Sequence, residues 1–226
     1  GWCDQGVARE ANDYLLEAAR RFPGRIVPFC GVNPNWGRAA VLELERCFSA
    51  GARGVGELHP DTAGFDLGDK ATLAPLMELA KEYGLAINTH SSEPLGHSYP
   101  GKGLVTPDIL MRFILNFPEV NIICSHWGGG LPFYSLMPEV RSALGNVYFD
   151  SSASPLLYRP EIFQIVTRLL GAKHILLGSD YPLVSLGHTI QQAQKHLSEE
   201  ELDTVLGNNS LHLLGMDIAG PPESFD

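Results

Sequence analysis

Positive charge is scarce in this 226-residue sequence, where 16 Lys and Arg face 26 Asp and Glu and the formal net charge is −10. No basic cluster interrupts this acidic balance, which argues against a surface that neutralises a nucleic-acid backbone. Long hydrophobic runs are also missing. No stretch approaches the roughly 18 consecutive apolar residues that would cross a bilayer, so the sequence predicts neither a nucleic-acid partner nor a membrane partner.

Paired cysteines are absent as well. The four cysteines show no Cys-x-x-Cys spacing. Cys30 and Cys124 lie in apolar runs, where a free cysteine acts as a small hydrophobic residue. The sequence therefore predicts a reduced, cytoplasmic protein. It begins at Gly1 rather than at a methionine, which leaves open a segment before it.

Short β-rich runs alternate with longer segments of helical period along the chain. The six strand candidates cover residues 25–32, 54–59, 84–90, 121–127, 146–152 and 174–180. The intervening segments, such as residues 131–145, place apolar residues three and four apart, and several end on glycine as helices often do. Repeated βα units predict a parallel sheet. Two architectures fit, a doubly wound sheet or a (β/α)8 barrel, which needs two strands more than are seen.

No change of composition and no Ser/Gly-rich linker divides the chain. We therefore expect a single domain over residues 1–215 and a loose C-terminal tail over residues 216–226. Within the domain, Thr106 and Asp108 around Pro107 predict a helix N-terminus.

Four of the six strands carry a metal-ligand type of side chain at the C-terminal end. These residues are Glu57 with His59, His90, His126 and Asp180. In parallel α/β folds the C-terminal strand ends share one edge of the sheet, where ligands bind. Glu57 and His59 are two residues apart and so share a face of their strand. Imidazoles and carboxylates that converge at one edge suit a divalent metal such as zinc.

Each of these residues also has a purely structural interpretation. A single histidine at a strand end is commonly a hydrogen-bonded structural residue, and Asp180 could be a helix N-cap. His59 precedes a proline and could be solvated in a loop. Glu57 is the hardest to explain in this way, because a carboxylate inside a strand costs free energy unless it is paired or bound to metal.

A long loop rich in glycine and proline, SSEPLGHSYPGKG, follows His90 and is expected to lie over this edge. As a substrate-binding loop it would present Glu93, His97, Tyr99 and Lys102. An ordinary surface loop has the same composition, and the sequence does not decide between the two.

Five motifs occur in order between about residue 25 and residue 215: THSSEP, SHWGGG, FDSS, LLGSDYP and GNNSLHLLG. Together they resemble the amidohydrolase-related branch of the amidohydrolase superfamily, also called amidohydrolase 2. The combination of SHWGGG with GSDYP at this separation is the most specific part. The resemblance implies an α/β fold, the (β/α)8 TIM barrel of metal-dependent hydrolase type, with one or two divalent metal ions at the C-terminal ends of its strands.

The resemblance also implies roles for individual residues. His90 matches the family's fifth-strand metal ligand, and Glu57 stands where some relatives place a metal-binding carboxylate. His126 matches the sixth-strand histidine, which binds a second metal or polarises water and substrate. Asp180 matches the eighth-strand aspartate, which touches the metal and takes a proton from bound water. The expected catalytic residues are therefore His126 and Asp180, and the expected substrate-binding residues are His59, Glu93, His97, Gly128 and Gly129.

One motif of the family is absent, since no His-x-His pair occurs in the 226 residues. In the family that pair belongs to the first barrel strand, and the strand at residues 25–32 resembles the third. We therefore expect the first two strands to be missing from this sequence, which is either part of a longer protein or a degenerate member. An open barrel exposes sheet edges, so a homo-oligomer paired through such an edge is a hypothesis.

The expected function is hydrolysis of an amide, ester or lactone-like bond in a small molecule, by water whose pKa the metal lowers to about 7. The glycines at 128–130 would let the substrate reach backbone N–H donors. Zinc is the expected ion, with manganese and iron as alternatives.

Two other functions remain. One is non-oxidative decarboxylation of aromatic or enoic acids, with Arg159, Lys102 or Arg112 as candidates to bind the carboxylate, and the other is a non-catalytic, degenerate barrel.

Overall fold

Six parallel strands lie side by side in one sheet, and their order across the sheet is their order along the chain. The structure, a computed structural model, describes residues 3–216. The strands are β1 Phe29–Cys30, β2 Gly54–Leu58, β3 Ala86–Thr89, β4 Ile122–Cys124, β5 Val147–Asp150 and β6 Ile175–Leu176. β1 and β6 form the two edges, and no ladder joins them among the described residues. The predicted parallel order of six strands is confirmed.

Helices flank the sheet and connect successive strands. They are α1 Gln5–Arg21, α2 Arg38–Ser49, α3 Pro60–Ala63, α4 Lys70–Tyr83, α5 Pro107–Asn116, α6 Ser125–Gly128, α7 Pro138–Ala143, α8 Ser154–Leu157, α9 Ile162–Leu170, α10 Leu186–His196, α11 Glu199–Asp203 and α12 Asn209–Leu213. Short 3-10 turns cover Pro34–Trp36, Leu131–Leu136 and Ala172–His174, and Thr204–Asn208 is π-helical.

Helix α5 shows how the local sequence sets a helix boundary. Pro107 occupies the first turn, where its missing N–H costs nothing, and Thr106 precedes it with extended backbone. The apolar residues Leu110, Phe113 and Ile114 recur at helical spacing and are buried in the core. The predicted helix start at Pro107 is confirmed.

Two local predictions are corrected by the structure. Residues 131–145 form a 3-10 turn followed by α7, not one helix, because Pro138 disfavours helical backbone at Met137, whose ψ is 122°. The strands are also shorter than predicted, since β1 contains only 2 residues. Hydrophobic runs extend beyond the ladder hydrogen bonds here, because residues that flank a strand still pack into the core.

Apolar side chains cover both faces of the sheet, as nearly continuous apolar strands predict. The larger cluster lies between the strands and the helices and includes Ile87 and Phe149. A smaller cluster on the opposite face joins Ile123 and Leu176 to Leu213 of α12. The sheet is therefore held from both sides, which fixes the positions of the strand ends.

The C-terminal helices close against the edge strand β6. The N–H of Leu177 donates to the carbonyl of Val205 over 3.2 Å. Asn209 Nδ2 donates to the carbonyls of Ala172 and Ile175 over 2.8 and 2.7 Å. These bonds satisfy backbone groups that an uncovered edge would leave to water or to another chain.

The tail predicted at residues 216–226 lies, from residue 217 onwards, outside the described residues. Within residues 3–216 no helix is both long enough and apolar enough to cross a membrane. The single domain, the cytoplasmic location, the absence of a nucleic-acid partner and the homo-oligomer stay predictions.

A left-handed turn follows β4 and carries His126. His126 and Trp127 both have φ of 56°, and Gly128, Gly129 and Gly130 continue the turn with φ of 59°, 58° and 93°. Left-handed backbone costs a residue other than glycine roughly 1–2 kcal/mol. Tertiary contacts must therefore hold the two side chains of this turn in place.

Trp127 supplies that anchor. Its ring is fully buried and stands edge-on to Phe163, with ring centroids 5.1 Å apart. Its Nε1–H donates to Ser154 Oγ over 2.9 Å. A buried indole with its only donor satisfied offsets the strain of the turn.

We predict that Gly129→Ala destabilises the protein by about 2–4 kcal/mol, the sum of left-handed strain and overpacking. A Cβ at Gly129 would lie 2.3 Å from the main-chain oxygen of Ser92, which cannot rotate away. Gly84→Ala is the matched control, because Gly84 has φ of 63° and no atom within 4 Å of the added Cβ. Urea unfolding of both variants measures the difference, and equal losses would contradict the packing argument.

We also predict that unfolding free energy falls as pH drops below about 6.5, partly because of His174. Burial lowers the pKa of this imidazole, against the opposing effect of its hydrogen bond to the Val147 carbonyl. The unfolded state therefore takes up the proton first, and protonation favours unfolding. His174→Gln removes this uptake, so the variant's stability should change less between pH 7 and pH 5. Parallel stability curves for the two proteins would show that His174 does not contribute.

Candidate metal centre

The C-terminal ends of three neighbouring strands bring a carboxylate and two imidazoles together. Glu57, His90 and His126 each offer one ligand atom, and these atoms lie within 4.8 Å of one another. Glu57 Oε1 is 3.1 Å from His90 Nδ1 and 3.9 Å from His126 Nε2. Two imidazole nitrogens and a carboxylate oxygen are a donor set that fits a divalent metal ion.

Glu57 reaches this point through an irregularity at the end of β2. The register with β3 shifts between Val55 and Leu58. Gly56 lies within this shift with φ of 136°, and a Cβ there would be 2.5 Å from the carbonyl oxygen of Asn88. Glycine is therefore required for the close approach of the two strands that turns Glu57 towards the histidines.

The charge on Glu57 is stabilised by its neighbours. Burial by itself raises the pKa of this carboxyl, but the hydrogen bond with His90 and the nearby histidines outweigh that effect and lower it. The side chain of Glu57 is 37% exposed, so it faces an open space rather than the packed interior. An ionised carboxylate aimed at open space is the form that binds a cation.

His90 is held on two sides and stacked on a third residue. Its Nδ1 contacts Glu57, and its Nε2 lies 3.1 Å from Ser92 Oγ. The His59 ring stacks on it with centroids 4.2 Å apart. Burial, followed by the proximity of His90, lowers the pKa of His59. His59 also caps α3, where its Nδ1 accepts a hydrogen bond from the N–H of Thr62.

The three residues line a cavity of about 500 Å³ that opens at the strand ends. Its other lining residues come from loops and from helix α8: His59, His97, Tyr99, Pro100, Gly101, Ala153, Leu156, Leu157, Asp180 and Leu183. One wall is apolar, and neither lysine nor arginine is among the described lining residues. We call this space the strand-end pocket.

Asp180 lines the strand-end pocket but is not one of the three clustered ligand residues. Its backbone is left-handed with φ of 64°, and its carbonyl accepts a hydrogen bond from the N–H of Leu183. The structure therefore brings Asp180 to the same pocket as the cluster. Its assignment as a metal ligand stays a prediction.

Some of the predicted substrate-binding residues line the strand-end pocket and others do not. His59 and His97 line the strand-end pocket. Glu93 is not among the lining residues, and its Oε2 accepts a hydrogen bond from the Tyr99 hydroxyl over 3.2 Å. Burial, followed by the Glu93 carboxylate, raises the pKa of Tyr99 to about 12. Glu93 thus holds a lining residue in place.

Gly128 and Gly129 are buried and do not line the pocket. A Cβ at Gly128 would meet the Phe149 ring at 2.7 Å, and one at Gly129 would meet the Ser92 carbonyl oxygen. Close packing accounts for both glycines in this structure. Their predicted contact with substrate finds no support in the pocket lining.

Sequence reasoning missed two groups of residues at this site. Asp150 and Ser152, in the FDSS motif, form hydrogen bonds with His126, which join the ends of the neighbouring strands β4 and β5. Leu156 and Leu183 form part of the apolar wall of the strand-end pocket, and nothing in their local sequence distinguishes them from core leucines. The motif was visible, but a role for it required the tertiary contacts.

A family model described as amidohydrolase matches residues 1–216, which confirms the resemblance seen in the motifs. Among curated proteins, the 2-amino-3-carboxymuconate-6-semialdehyde decarboxylase of Dictyostelium discoideum is 24% identical, over 93% of this chain and 67% of that protein.

The solved structures similar to this one include two decarboxylases. A 2,6-dihydroxybenzoate decarboxylase in complex with 2,6-dihydroxybenzoate has a TM-score of 0.77 at 20% identity, covering 93% of this chain and 77% of the other. A dihydroxybenzoic acid decarboxylase from Polaromonas, with bound manganese and the inhibitor 2-nitroresorcinol, has a TM-score of 0.70 at 20% identity, covering 93% and 75%. These similarities confirm the predicted TIM-barrel type of fold.

The comparisons correct the predicted reaction. Hydrolysis of an amide, ester or lactone-like bond was expected from the family resemblance. The curated relative and the two solved structures named above are decarboxylases. The prediction of a hydrolase is therefore wrong, and the reason is that the same metal-ligand side chains serve both kinds of reaction in this fold.

We predict that removal of one clustered side chain weakens metal binding by at least about 100-fold, more than a change outside the ligand set costs. Zinc or manganese binding to the metal-stripped protein would be measured by calorimetry or by competition with a chelator. His90→Ala and Glu57→Gln should both lose affinity. His188→Ala, on an exposed position of α10, is the control and should bind as the parent does. Unchanged affinity in both site variants would place the metal elsewhere.

Proposed function

This chain belongs to the amidohydrolase family, and we propose that it catalyses metal-dependent, non-oxidative decarboxylation of a small carboxylic acid. The observation that carries the proposal is the strand-end pocket, where the cluster of Glu57, His90 and His126 faces an apolar wall. The decarboxylase activity named for the similar proteins supports the same reaction.

The donor set supports zinc as the proposed ion, because two histidines and a glutamate form a known catalytic zinc site. Manganese is the alternative, and the similar Polaromonas decarboxylase contains it. Glu57, His90 and His126 would hold the ion. When bound, it would supply positive charge that holds the substrate carboxylate and stabilises negative charge developing on the substrate.

The lining of the pocket supports a substrate with a carboxylate and an apolar portion. Lys102 donates to the carbonyls of Leu95 and His97, and Arg159 lies exposed beside Glu161. Neither of them, nor Arg112, lines the strand-end pocket. No described lysine or arginine therefore competes with the metal cluster for the carboxylate. A volume of about 500 Å³ is in the range that encloses a single small-molecule ligand.

The protein must also deliver a proton. Decarboxylation breaks the carbon–carbon bond to the carboxylate, leaves the electron pair on the substrate carbon and releases CO2. That carbon then takes up one proton. Apart from Glu57, Asp180 supplies the only carboxyl group among the described lining residues, and we assign the proton transfer to its carboxyl oxygen. The leucine wall of the pocket limits the access of water.

We predict that the metal-loaded protein releases one CO2 per product molecule from a substrate in a panel of aromatic and enoic acids, including 2,6-dihydroxybenzoate and 2-amino-3-carboxymuconate-6-semialdehyde. In D2O the product should carry one deuterium at the carbon that lost the carboxylate. Asp180→Asn should lower the rate about 10²–10⁴-fold through loss of the proton carrier.

Asp203→Asn is the control for this experiment, because Asp203 is exposed at the end of α11. Its rate should equal that of the parent. Gas analysis and mass spectrometry of the product measure the reaction. Failure to release CO2 from any member of the panel would count against the proposal, and an active Asp180→Asn variant would count against the proton assignment.

A further inference from the structure

His126 is surrounded by hydrogen-bonding groups on the side that faces away from the cluster. Its Nδ1 lies 2.9 Å from Ser152 Oγ and 3.2 Å from the main-chain oxygen of Ser152. Its other ring nitrogen, Nε2, points towards Glu57. The ring is therefore anchored at one nitrogen and presented to the pocket at the other.

The Ser152 hydroxyl already donates its hydrogen in a second hydrogen bond. Ser152 Oγ donates to Asp150 Oδ1, which also accepts from two main-chain N–H groups. The hydroxyl oxygen then has only lone pairs to offer His126. The main-chain oxygen of Ser152 is likewise an acceptor only. Both partners of Nδ1 thus require a hydrogen on that nitrogen.

We propose that Ser152, oriented by Asp150, is a positioning residue that fixes His126 as the Nδ1–H tautomer. The neutral ring then carries its free lone pair on Nε2, on the side of Glu57 and His90. Metal binding and proton transfer both depend on which imidazole nitrogen is free. The role of this tautomer in metal binding and proton transfer rests on the proposed function. The tautomer itself follows from the hydrogen bonds.

The contacts around Asp150 show that the arrangement is built into the fold. Asp150 Oδ1 also accepts from the N–H of His126 over 3.1 Å and from the N–H of Ser152 over 2.9 Å. Asp150 and Ser152 are 9% and 8% exposed, so losing one partner would leave buried polar groups unpaired. Gly178 permits this packing, since a Cβ there would lie 3.1 Å from the Ser152 nitrogen and 3.3 Å from Asp150 Oδ1.

The second histidine of the cluster is held differently. His90 Nδ1 donates to the Glu57 carboxylate, which only accepts. In the neutral ring Nε2 is then the acceptor, and it accepts from the Ser92 hydroxyl, whose oxygen accepts in turn from the N–H of Gly103 over 2.9 Å. Glu57 is therefore bonded by the protonated nitrogen of His90 and faces the bare nitrogen of His126. This asymmetry gives His126 the free lone pair of the cluster in the absence of metal.

The test is nitrogen NMR of the metal-free protein labelled with 15N-histidine, at a pH where the rings are neutral. The His126 signals are identified by their absence in His126→Gln. We expect the chemical-shift pattern of an Nδ1–H tautomer in the parent. In Ser152→Ala only the longer contact to the main-chain oxygen of residue 152 remains, so the population of the Nδ1–H tautomer should fall measurably. Metal affinity of Ser152→Ala should fall about 10-fold or more, within the 10–100-fold range of residues that support a ligand.

Ser151→Ala is the matched control. Ser151 is the buried neighbour of Ser152, and among residues 3–216 its hydroxyl bonds only to the main chain of Gly178. It should keep the parental tautomer and metal affinity. Ser152→Thr retains the hydroxyl and should restore both, which separates positioning from a loss of folding.

An Nε2–H tautomer in the parent protein would overturn the inference, as would an unchanged tautomer in a folded Ser152→Ala. Absence of decarboxylase activity would not affect either measurement. The positioning role and the proposed reaction can therefore fail independently.

Discussion

The hydrogen bond between Glu57 and His90 is the contact on which the site depends. It joins the ends of two neighbouring parallel strands, at 3.1 Å, where each strand would otherwise end in an unpaired polar side chain. Parallel strands direct their C-terminal ends to one edge, so residues 33 positions apart in sequence meet there. The carboxylate satisfies an imidazole donor, and the imidazoles stabilise its charge. The same pairing that avoids a buried unpaired charge leaves ligand atoms in position for a cation.

Much of the surrounding structure keeps this edge in place. The core packs both faces of the sheet, and the left-handed turn after β4 is held by the buried Trp127. Gly56 and Gly129 occupy positions where a side chain would collide with the main chain of a neighbouring strand or loop. These features have no chemical role of their own. They let three strands approach closely enough for their terminal side chains to share one point.

The electrostatics of the pocket set it apart from an anion-binding cleft. The described lining contains two carboxylates and four imidazoles, and neither lysine nor arginine. In the proposed function a metal ion at the cluster would hold the acidic substrate, which would couple substrate binding to metal binding. The apolar wall then provides area for the rest of the substrate. A pocket that binds the carboxylate through a cation and the rest of the substrate through apolar contacts suits a reaction in which the carboxylate leaves as CO2.

The sequence by itself determined the parallel sheet, the six strands and the residues at their ends, because apolar periodicity and strand-end polarity are local properties of the chain. It also identified the family through motifs. Only the tertiary structure decided that Glu57 pairs with His90, that Asp180 stays outside the cluster, and that Gly128 and Gly129 serve packing. It also brought Ser152 to His126. These contacts join residues distant in sequence, and they depend on strand register and on turns whose left-handed backbone no local pattern specifies.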